Sequence, residues 1–234
     1  MNAGRANPGA ARRLLDAVLS QHAVTDDAGR QWPLHSQLPE EEGQALQHWF
    51  RESPARRVLE IGCAYGISSL YLCEAMAERD MRSYHLIDAY QSSQWRDIGR
   101  RHLRLARPTG DYALFEELSE LCLPRLLAQG ERYDFAFIDG WHTFDQVMLE
   151  FFYVNRMLEP GGVVVFDDMH LPALQKVLGY VSAYPCYERL PPPDTLAKTL
   201  KARVRQAAGT PVIRLQALRK TAQDERDWDW YADF

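Results

Sequence analysis

The chain has 234 residues, 46% hydrophobic and 25% charged, which fits one globular domain with a full core. Its net charge of −5 and its lack of a basic run argue against a nucleic-acid partner. No stretch has the length and apolar character of a membrane span or a signal peptide, so we expect no membrane association. The four cysteines show no CxxC spacing, which predicts reduced thiols, no zinc site and a cytoplasmic protein.

The first fifty residues predict a helical cap ahead of the main domain. Residues 9–20 carry leucines and a valine on one side, as an amphipathic helix does, and residues 21–40 have the composition of a loop. Pro39 and three glutamates then open a second helix, because proline and acids are favoured in a first turn. We therefore predict an N-terminal cap and lid over residues 1–50 and a single main domain over residues 51–234.

A glycine-rich turn follows the first predicted strand of the main domain. Val58, Leu59 and Ile61 make a short apolar run typical of a buried parallel strand, and helical periodicity starts at Ile67. Gly62 and Gly66 would let a ligand approach the backbone, because glycine has no Cβ and accepts positive φ. The turn lacks the dinucleotide fingerprint, and Glu60 would repel a phosphate but could accept hydrogen bonds from an ammonium group. An ordinary βα turn is the alternative interpretation.

The next two predicted strands lie at residues 83–88 and 112–116. The first ends in Asp88, 28 residues after Glu60. A carboxylate at this strand end is placed to hydrogen-bond a ribose hydroxyl pair, although acidic residues are also common at strand ends without a ligand. After the second strand, Ser119 stands where the N-cap of a helix belongs.

Acidic side chains end the following two predicted strands. Asp139 closes the strand that starts at Tyr133, whereas Asp167 and Asp168 close the strand that follows Gly162. The amphipathic segment between the strands suits a crossover helix, so we expect parallel neighbours about 4.8 Å apart. The three carboxylates would meet at the carboxyl edge of the sheet and repel one another unless a hard cation such as Mg²⁺ joined them. Turn and helix-cap roles are the alternative.

These motifs together resemble the class I S-adenosylmethionine-dependent methyltransferases, in particular the catechol O-methyltransferase-like branch and macrolide-sugar O-methyltransferases. The E-x-G-x-x-x-G turn at Glu60 is similar to motif I of that class, with Ala64 in place of one glycine. Segments 139–142 and 167–168 are similar to the two acidic strand ends of the branch. The resemblance implies an α/β fold: a Rossmann-like, seven-stranded, mostly parallel sheet with helices on both faces and an antiparallel last strand.

The resemblance also implies which residues contact the cofactor S-adenosylmethionine. They are Glu60, Gly62, Ala64, Ser68, Asp88, Ser119, Glu120, Asp139 and Trp141. Within this set, Glu60 would lie near the methionine amino group, with Gly62 and Ser68 near the carboxylate. Asp88 would bind the ribose and Trp141 would pack beside the adenine.

The same resemblance implies a metal site and a catalytic base. Asp139, Asp167 and Asp168 would bind Mg²⁺ or another hard divalent cation. His142 stands in place of the lysine base of the branch, and a histidine titrates near neutrality, so His142 and Asp139 are the expected catalytic residues. Glu120 replaces a glutamine of the branch, which costs one amide donor at the adenine.

The predicted function is metal-dependent O-methylation of a small-molecule hydroxyl, such as a catechol-like phenol or a sugar of secondary metabolism. The alternatives are a metal-independent methyltransferase and a cofactor-binding protein without turnover. Residues 186–190 and 211–218 predict the closing hairpin, and the insertion near 191–207 would lie at the substrate mouth. The aromatic tail, residues 228–234, would cap a pocket, pack on a second subunit of a homodimer or be disordered.

Overall fold

The computed structural model describes residues 9–106, 108, 110–193 and 214–233. A short hairpin precedes the main sheet and consists of Ala23–Thr25 (β1) and Gln31–Pro33 (β2). The strands of the main sheet are Arg57–Ile61 (β3), Ser83–Ile87 (β4), Asp111–Phe115 (β5), Tyr133–Ile138 (β6), Leu158–Phe166 (β7), Tyr187–Leu190 (β8) and Gln216–Lys220 (β9). Their order across the sheet is β5-β4-β3-β6-β7-β9-β8.

Strand direction agrees with the expected Rossmann-like fold. Strands β3 to β7 pair in parallel, and β9 runs antiparallel to both of its neighbours, β7 and β8. The order reverses on either side of β3, so the carboxyl ends of β3 and its neighbours border one crevice. The predicted seven-stranded, mostly parallel sheet with an antiparallel last strand is confirmed.

The helices of the described residues are Ala10–Gln21 (α1), Glu40–Glu52 (α2), Ile67–Met76 (α3), Ile98–Ala106 (α4), Ser119–Ala128 (α5), Phe144–Met157 (α6) and Pro172–Ser182 (α7). They cover both faces of the sheet. Successive side chains of a strand point to opposite faces and therefore pack against different groups of helices. Val58 packs in the apolar cluster that contains α1 to α4, whereas Leu59 packs in the cluster of α5 to α7. No helix of the described residues is long and apolar enough to cross a membrane.

The hairpin β1–β2 lies in a segment that the sequence predicts as a loop. Its strands have three residues each, too few for an alternating pattern to be recognised. Asp26 organises the turn, since its Oδ1 accepts hydrogen bonds from the backbone N–H groups of Ala28 and Arg30 at 3.0 and 2.9 Å. Both α1 and α2 share an apolar cluster with the main sheet, and the predicted division at residue 50 stays a prediction.

The end of the chain forms the predicted antiparallel hairpin, with β9 between β7 and β8. Residues 194–207 of the predicted insertion lie outside the described residues. In the tail, Trp230 packs edge-on against Tyr184, and the guanidinium of Arg226 lies over both rings. Trp230 of the tail therefore contacts its own chain, whereas Trp228 is 97% exposed.

Candidate active site

A cavity of about 700 Å³ opens at the carboxyl edge of the sheet. Ten of the predicted site residues line it: Gly62, Ala64, Asp88, Ser119, Glu120, Asp139, Trp141, His142, Asp167 and Asp168. They come from the ends of β3, β4, β6 and β7 and from the start of α5. The topology thus brings together residues that are up to 106 positions apart in the sequence.

Glu60 and Ser68 lie beneath the cavity rather than in its wall. The Glu60 carboxylate is fully buried and accepts hydrogen bonds from Ser68 Oγ at 2.5 Å, from Ser69 Oγ at 2.9 Å and from the Tyr84 hydroxyl. Burial raises the pKa of Glu60 to about 7, although these three donors favour its charged form. The two residues therefore contact each other, and their predicted contacts with the methionine part of the cofactor stay predictions.

Asp88 fixes the glycine-rich turn. Its Oδ2 accepts hydrogen bonds from the backbone N–H groups of Cys63 and Ala64, at 3.0 and 2.7 Å, and from the side chain of Gln91. Its Oδ1 accepts the N–H of Tyr90 at 2.9 Å. Asp88 lines the cavity, and Oδ1 keeps a lone pair that a ribose hydroxyl could use.

A polar cluster lies at the start of α5 and was only partly predicted. Ser119 Oγ donates a hydrogen bond to Glu150 Oε1 at 2.8 Å and accepts one from Gln146 at 2.8 Å. Ser119 is thus held by α6, and the N-cap position belongs to Leu118. Glu150 is 1% exposed, and burial raises its pKa to about 7. The sequence offered no signal for Glu150, because an acid on an amphipathic helix normally faces solvent.

The ends of β6 and β7 form an acidic hollow. One ligand atom from each of Asp139, His142 and Asp167 lies within 4.8 Å of the others. Burial is the main reason that the pKa of both carboxyl groups lies well above the usual range. The charges of Glu60 and Asp168 add to the rise at Asp139, and the charge of Asp139 adds to the rise at Asp167. His142 Nε2 is 3.4 Å from Asp139 Oδ1.

This hollow fits a hard divalent cation. Among the described residues, His142 Nε2, Asp167 Oδ1 and Asp168 Oδ1 are buried polar atoms of this region that have no hydrogen-bond partner. Buried polar atoms are seldom left unpaired, and two like-charged carboxyl groups are costly to bury together. Carboxylate oxygens are ligands that Mg²⁺ and Mn²⁺ accept, whereas an imidazole nitrogen beside them suits a transition-metal ion better than Mg²⁺.

Asp168, the third predicted ligand, lies outside this cluster. Its Oδ1 is 3.0 Å from Arg214 Nη1, and its Oδ2 is 3.3 Å from His142 Nδ1. The backbone of Asp168 is left-handed (φ 51°), a conformation that aspartate tolerates better than most residues. The side chain of Asp168 thus lies between Arg214 and His142, and its Oδ1 has no hydrogen-bond partner among the described residues.

Sequence reasoning missed Arg214 and its partner Glu42. Arg214 lines the cavity, and its guanidinium binds both carboxylate oxygens of Glu42, which is 3% exposed. The two residues stand 172 positions apart, and no local pattern marks either of them. An arginine ahead of a strand and a glutamate in the first turn of a helix are ordinary surface residues in sequence terms.

Comparisons with known proteins agree with this geometry. The family model described as "Methyltransferase domain" matches residues 59–169. No curated protein matches the chain at a significant level.

Solved structures share the fold at low sequence identity. An O-methyltransferase from Bacillus cereus in complex with SAH is 18% identical, with a TM-score of 0.59 and 92% of each chain covered. The SAH-bound methyltransferase PaMTH1 of Podospora anserina is 16% identical, with a TM-score of 0.63, and 92% of this chain and 89% of that chain are covered. TomG of Streptomyces achromogenes, involved in tomaymycin synthesis and solved with SAM, is 20% identical, with a TM-score of 0.55 and coverage of 92% and 91%.

Proposed function

We propose that the chain is a class I methyltransferase that methylates a hydroxyl group of a small molecule with the help of a divalent cation. The fold and the family model that matches residues 59–169 support this proposal. The methyl donor is S-adenosylmethionine. The observation that carries the metal dependence is the convergence of Asp139, Asp167 and His142 beside the cavity of the glycine-rich turn.

The cavity offers this cofactor a complementary surface. S-adenosylmethionine, when bound, supplies an electrophilic methyl group. Asp88 Oδ1 would accept a hydrogen bond from a ribose hydroxyl. The same oxygen accepts a hydrogen bond from the backbone N–H of Tyr90. Trp141 is 63% exposed and lines the cavity, so its ring is available to cover the adenine. Gly62 and Ala64 would let the cofactor approach the turn, since both have positive φ and line the cavity.

Asp139, Asp167 and His142 would hold the cation. A bound divalent ion acts as a Lewis acid and lowers the pKa of a hydroxyl group beside it. The protein would contribute mainly by fixing the acceptor oxygen near the methyl carbon, an effect that can reach roughly 7–11 kcal/mol. The branch that the sequence resembles has a lysine where this chain has His142, and that lysine acts as a base. His142 Nε2 cannot bind a metal ion and accept a proton at the same time, and its place in the cluster favours the ligand role.

The acceptor would carry two neighbouring oxygens, as a catechol or a sugar diol does, because both can approach one cation. TomG, one structural neighbour, takes part in tomaymycin synthesis, which supports a role in secondary metabolism here.

The cytoplasmic location and the homodimer stay predictions, as does the absence of a nucleic-acid partner. The four cysteines are buried, and their reduced state stays a prediction.

The direct test is methyl transfer by the purified protein. We expect S-adenosylmethionine and a library of catechols and sugar diols to yield a product 14 mass units heavier, a gain that a chelator abolishes and added Mg²⁺ restores. Asp167→Asn should lose at least about a hundredfold in turnover, because the hollow then loses one of its two carboxylates. Asp80→Asn, at an exposed surface ion pair, is the matched control.

The alternatives predict different results. Transfer that is indifferent to the chelator would favour the metal-independent methyltransferase, in which the aspartates make turns. Tight cofactor binding with no product across the library would favour a binding protein.

The variant His142→Gln distinguishes the two roles of the histidine. The ligand role predicts weaker metal binding, whereas the base role predicts unchanged metal affinity and slower turnover.

A further inference from the structure

A second group of acidic and polar side chains lines the cavity, on α5 and α6. Ser119 and Glu120 begin α5, whereas Gln146 and Glu150 lie on α6. We propose that Glu150, together with Ser119 and Glu120, binds the exocyclic amino group of the cofactor's base, so that this part of the cavity selects adenine. The inference rests on the proposed function and deepens it, because it names a residue that determines cofactor specificity.

Glu150 is a buried acid with only one of its two oxygens in use. Its Oε1 accepts hydrogen bonds from Ser119 Oγ at 2.8 Å and from Gln146 Nε2 at 3.4 Å. Its Oε2 is buried and has no hydrogen-bond partner among the described residues. The side chain is 1% exposed, yet it lines the cavity. Because buried polar atoms are seldom left unpaired, we expect Oε2 to receive a hydrogen bond from a bound molecule.

The hydrogens of this group are already used within the protein. Ser119 Oγ donates to Glu150 and accepts from Gln146 Nε2 at 2.8 Å. Gln146 Nε2 also lies 3.4 Å from Glu120 Oε2. The hydroxyl and amide hydrogens thus point at oxygens of the group itself, whereas the carboxylate oxygens keep free lone pairs. The group therefore offers a ligand hydrogen-bond acceptors, which suit an amino group with its two hydrogens.

The charge of this group also favours a donor. Burial raises the pKa of Glu150 to about 7, and the charge of Glu120 adds to the rise. Two acids that repel each other in a partly buried place are stabilised by an N–H donor from a ligand. A carbonyl oxygen in the same position would instead face both acids. The group thus distinguishes an amino group from a carbonyl group, which is the difference between adenine and hypoxanthine.

An aromatic surface for a flat base lies next to this acid. A Cβ on Gly140 would be 2.8 Å from Glu150 Oε1, so the backbone that carries Trp141 packs directly on the carboxylate. Trp141 is 63% exposed and lines the cavity. A ring that stacks on Trp141 would therefore lie near Glu150, with its edge available to the acid. Asp88 lines the same cavity, so the candidate contacts to sugar and base belong to one site.

Calorimetric binding of two related compounds tests the inference without metal or turnover. The probes are S-adenosylhomocysteine and S-inosylhomocysteine, whose bases carry an amino group and a carbonyl group at the same position. The titrations are made at about pH 8, where Glu150 is mostly ionised. We expect the wild type to bind the adenosyl compound at least about a hundredfold more tightly, because the inosyl compound leaves buried acceptors unpaired.

The variant Glu150→Gln changes the unpaired position of this side chain. Its amide oxygen can still accept from Ser119, while its NH₂ group replaces Oε2 and can donate to a carbonyl group. We expect the preference for the adenosyl compound to fall by at least about tenfold. The matched control is Glu117→Gln, since Glu117 also lines the cavity but pairs with Arg125. Its preference should equal that of the wild type.

An unchanged preference in Glu150→Gln, or equal affinity of the wild type for the two compounds, would overturn the inference. Both results leave the proposed function intact, since the protein would still bind the adenosyl compound. A wild type that binds neither compound refutes the cofactor of the proposed function and this inference with it. Should Glu150→Gln fail to fold, Glu120→Gln takes its place with the same expected direction of change, because Glu120 is only partly buried.

Discussion

Gly62 allows two strand ends to lie side by side at the cavity. Its φ is +89°, and a Cβ built on it would lie 1.9 Å from the carbonyl oxygen of Asp139. The backbone N–H of Asp139 in turn donates to Ile61 O at 2.8 Å. The first acid of the hollow is therefore placed by direct contact with the glycine-rich turn, and a side chain at residue 62 would push the two apart.

We expect Gly62→Ala to destabilise the protein far more than Gly29→Ala does. Gly29 also has positive φ (+79°), but a Cβ there would meet no atom within 4 Å. Both substitutions incur the left-handed backbone cost of roughly 1–2 kcal/mol, and only Gly62→Ala adds a backbone clash of about 1–3 kcal/mol. Urea unfolding of the two variants measures the difference, and equal losses of stability would contradict the account.

Three secondary-structure elements are joined by hydrogen bonds to one buried carboxylate, that of Glu60. Glu60 lies on β3, its partners Ser68 and Ser69 lie in the first turn of α3, and Tyr84 lies on β4. The carboxylate thereby joins the strand, its following helix and the next strand beneath the cavity floor. Such a buried acid favours its protonated form, which makes the stability of this region depend on pH.

We expect the contribution of Glu60 to stability to fall between about pH 4.5 and 7. The folded state, with a Glu60 pKa of about 7, keeps its proton through this range, whereas the unfolded chain, with a value of 4.5, has lost it. The folded state therefore binds more protons, and stability decreases as pH rises until both states are ionised. Urea midpoints of the wild type and Glu60→Gln across this range test the sign. Parallel curves for the two proteins would show that Glu60 does not titrate in this way.

The elements that the sequence predicted are those with a strong local pattern. Apolar runs predicted β3, β6 and β7, and helical periodicity predicted α3 and α6, within a few residues of their ends. The hairpin β1–β2 was missed because its strands are too short to show a period. The candidate site was predicted as far as it follows strand ends, where Asp88, Asp139 and Asp167 line one cavity.

The remaining features of the site depend on tertiary contacts that leave no trace in local sequence. The burial of Glu60 and Glu150 cannot be read from residue type, since most glutamates are exposed. The pair of Glu42 and Arg214 depends on the cap helix α2 packing near the end of β7. The motif positions predict Asp139, Asp167 and Asp168 as metal ligands, whereas the side chains that lie closest together are Asp139, His142 and Asp167, with Asp168 Oδ1 3.0 Å from Arg214 Nη1.

For the molecule as a whole, the acidic hollow links function to stability. The pKa values of the partly buried Asp139 and the buried Asp167 are both raised, which disfavours the folded state near neutral pH. A cation that binds only the folded protein would reverse this cost, by about 2.7 kcal/mol at a concentration one hundred times its dissociation constant. The cap participates as well, since Glu42 reaches the site through Arg214.

The central claim is that acids from two strand ends bind one divalent ion, and calorimetric titration of Mn²⁺ into the wild type and Asp167→Asn tests it most directly. The account predicts one Mn²⁺ per wild-type chain and an affinity at least about a hundredfold lower in the variant, because Asp167 Oδ1 is a buried oxygen that has no hydrogen-bond partner among the described residues. Equal Mn²⁺ affinity in the two proteins, or no binding to the wild type, would contradict it.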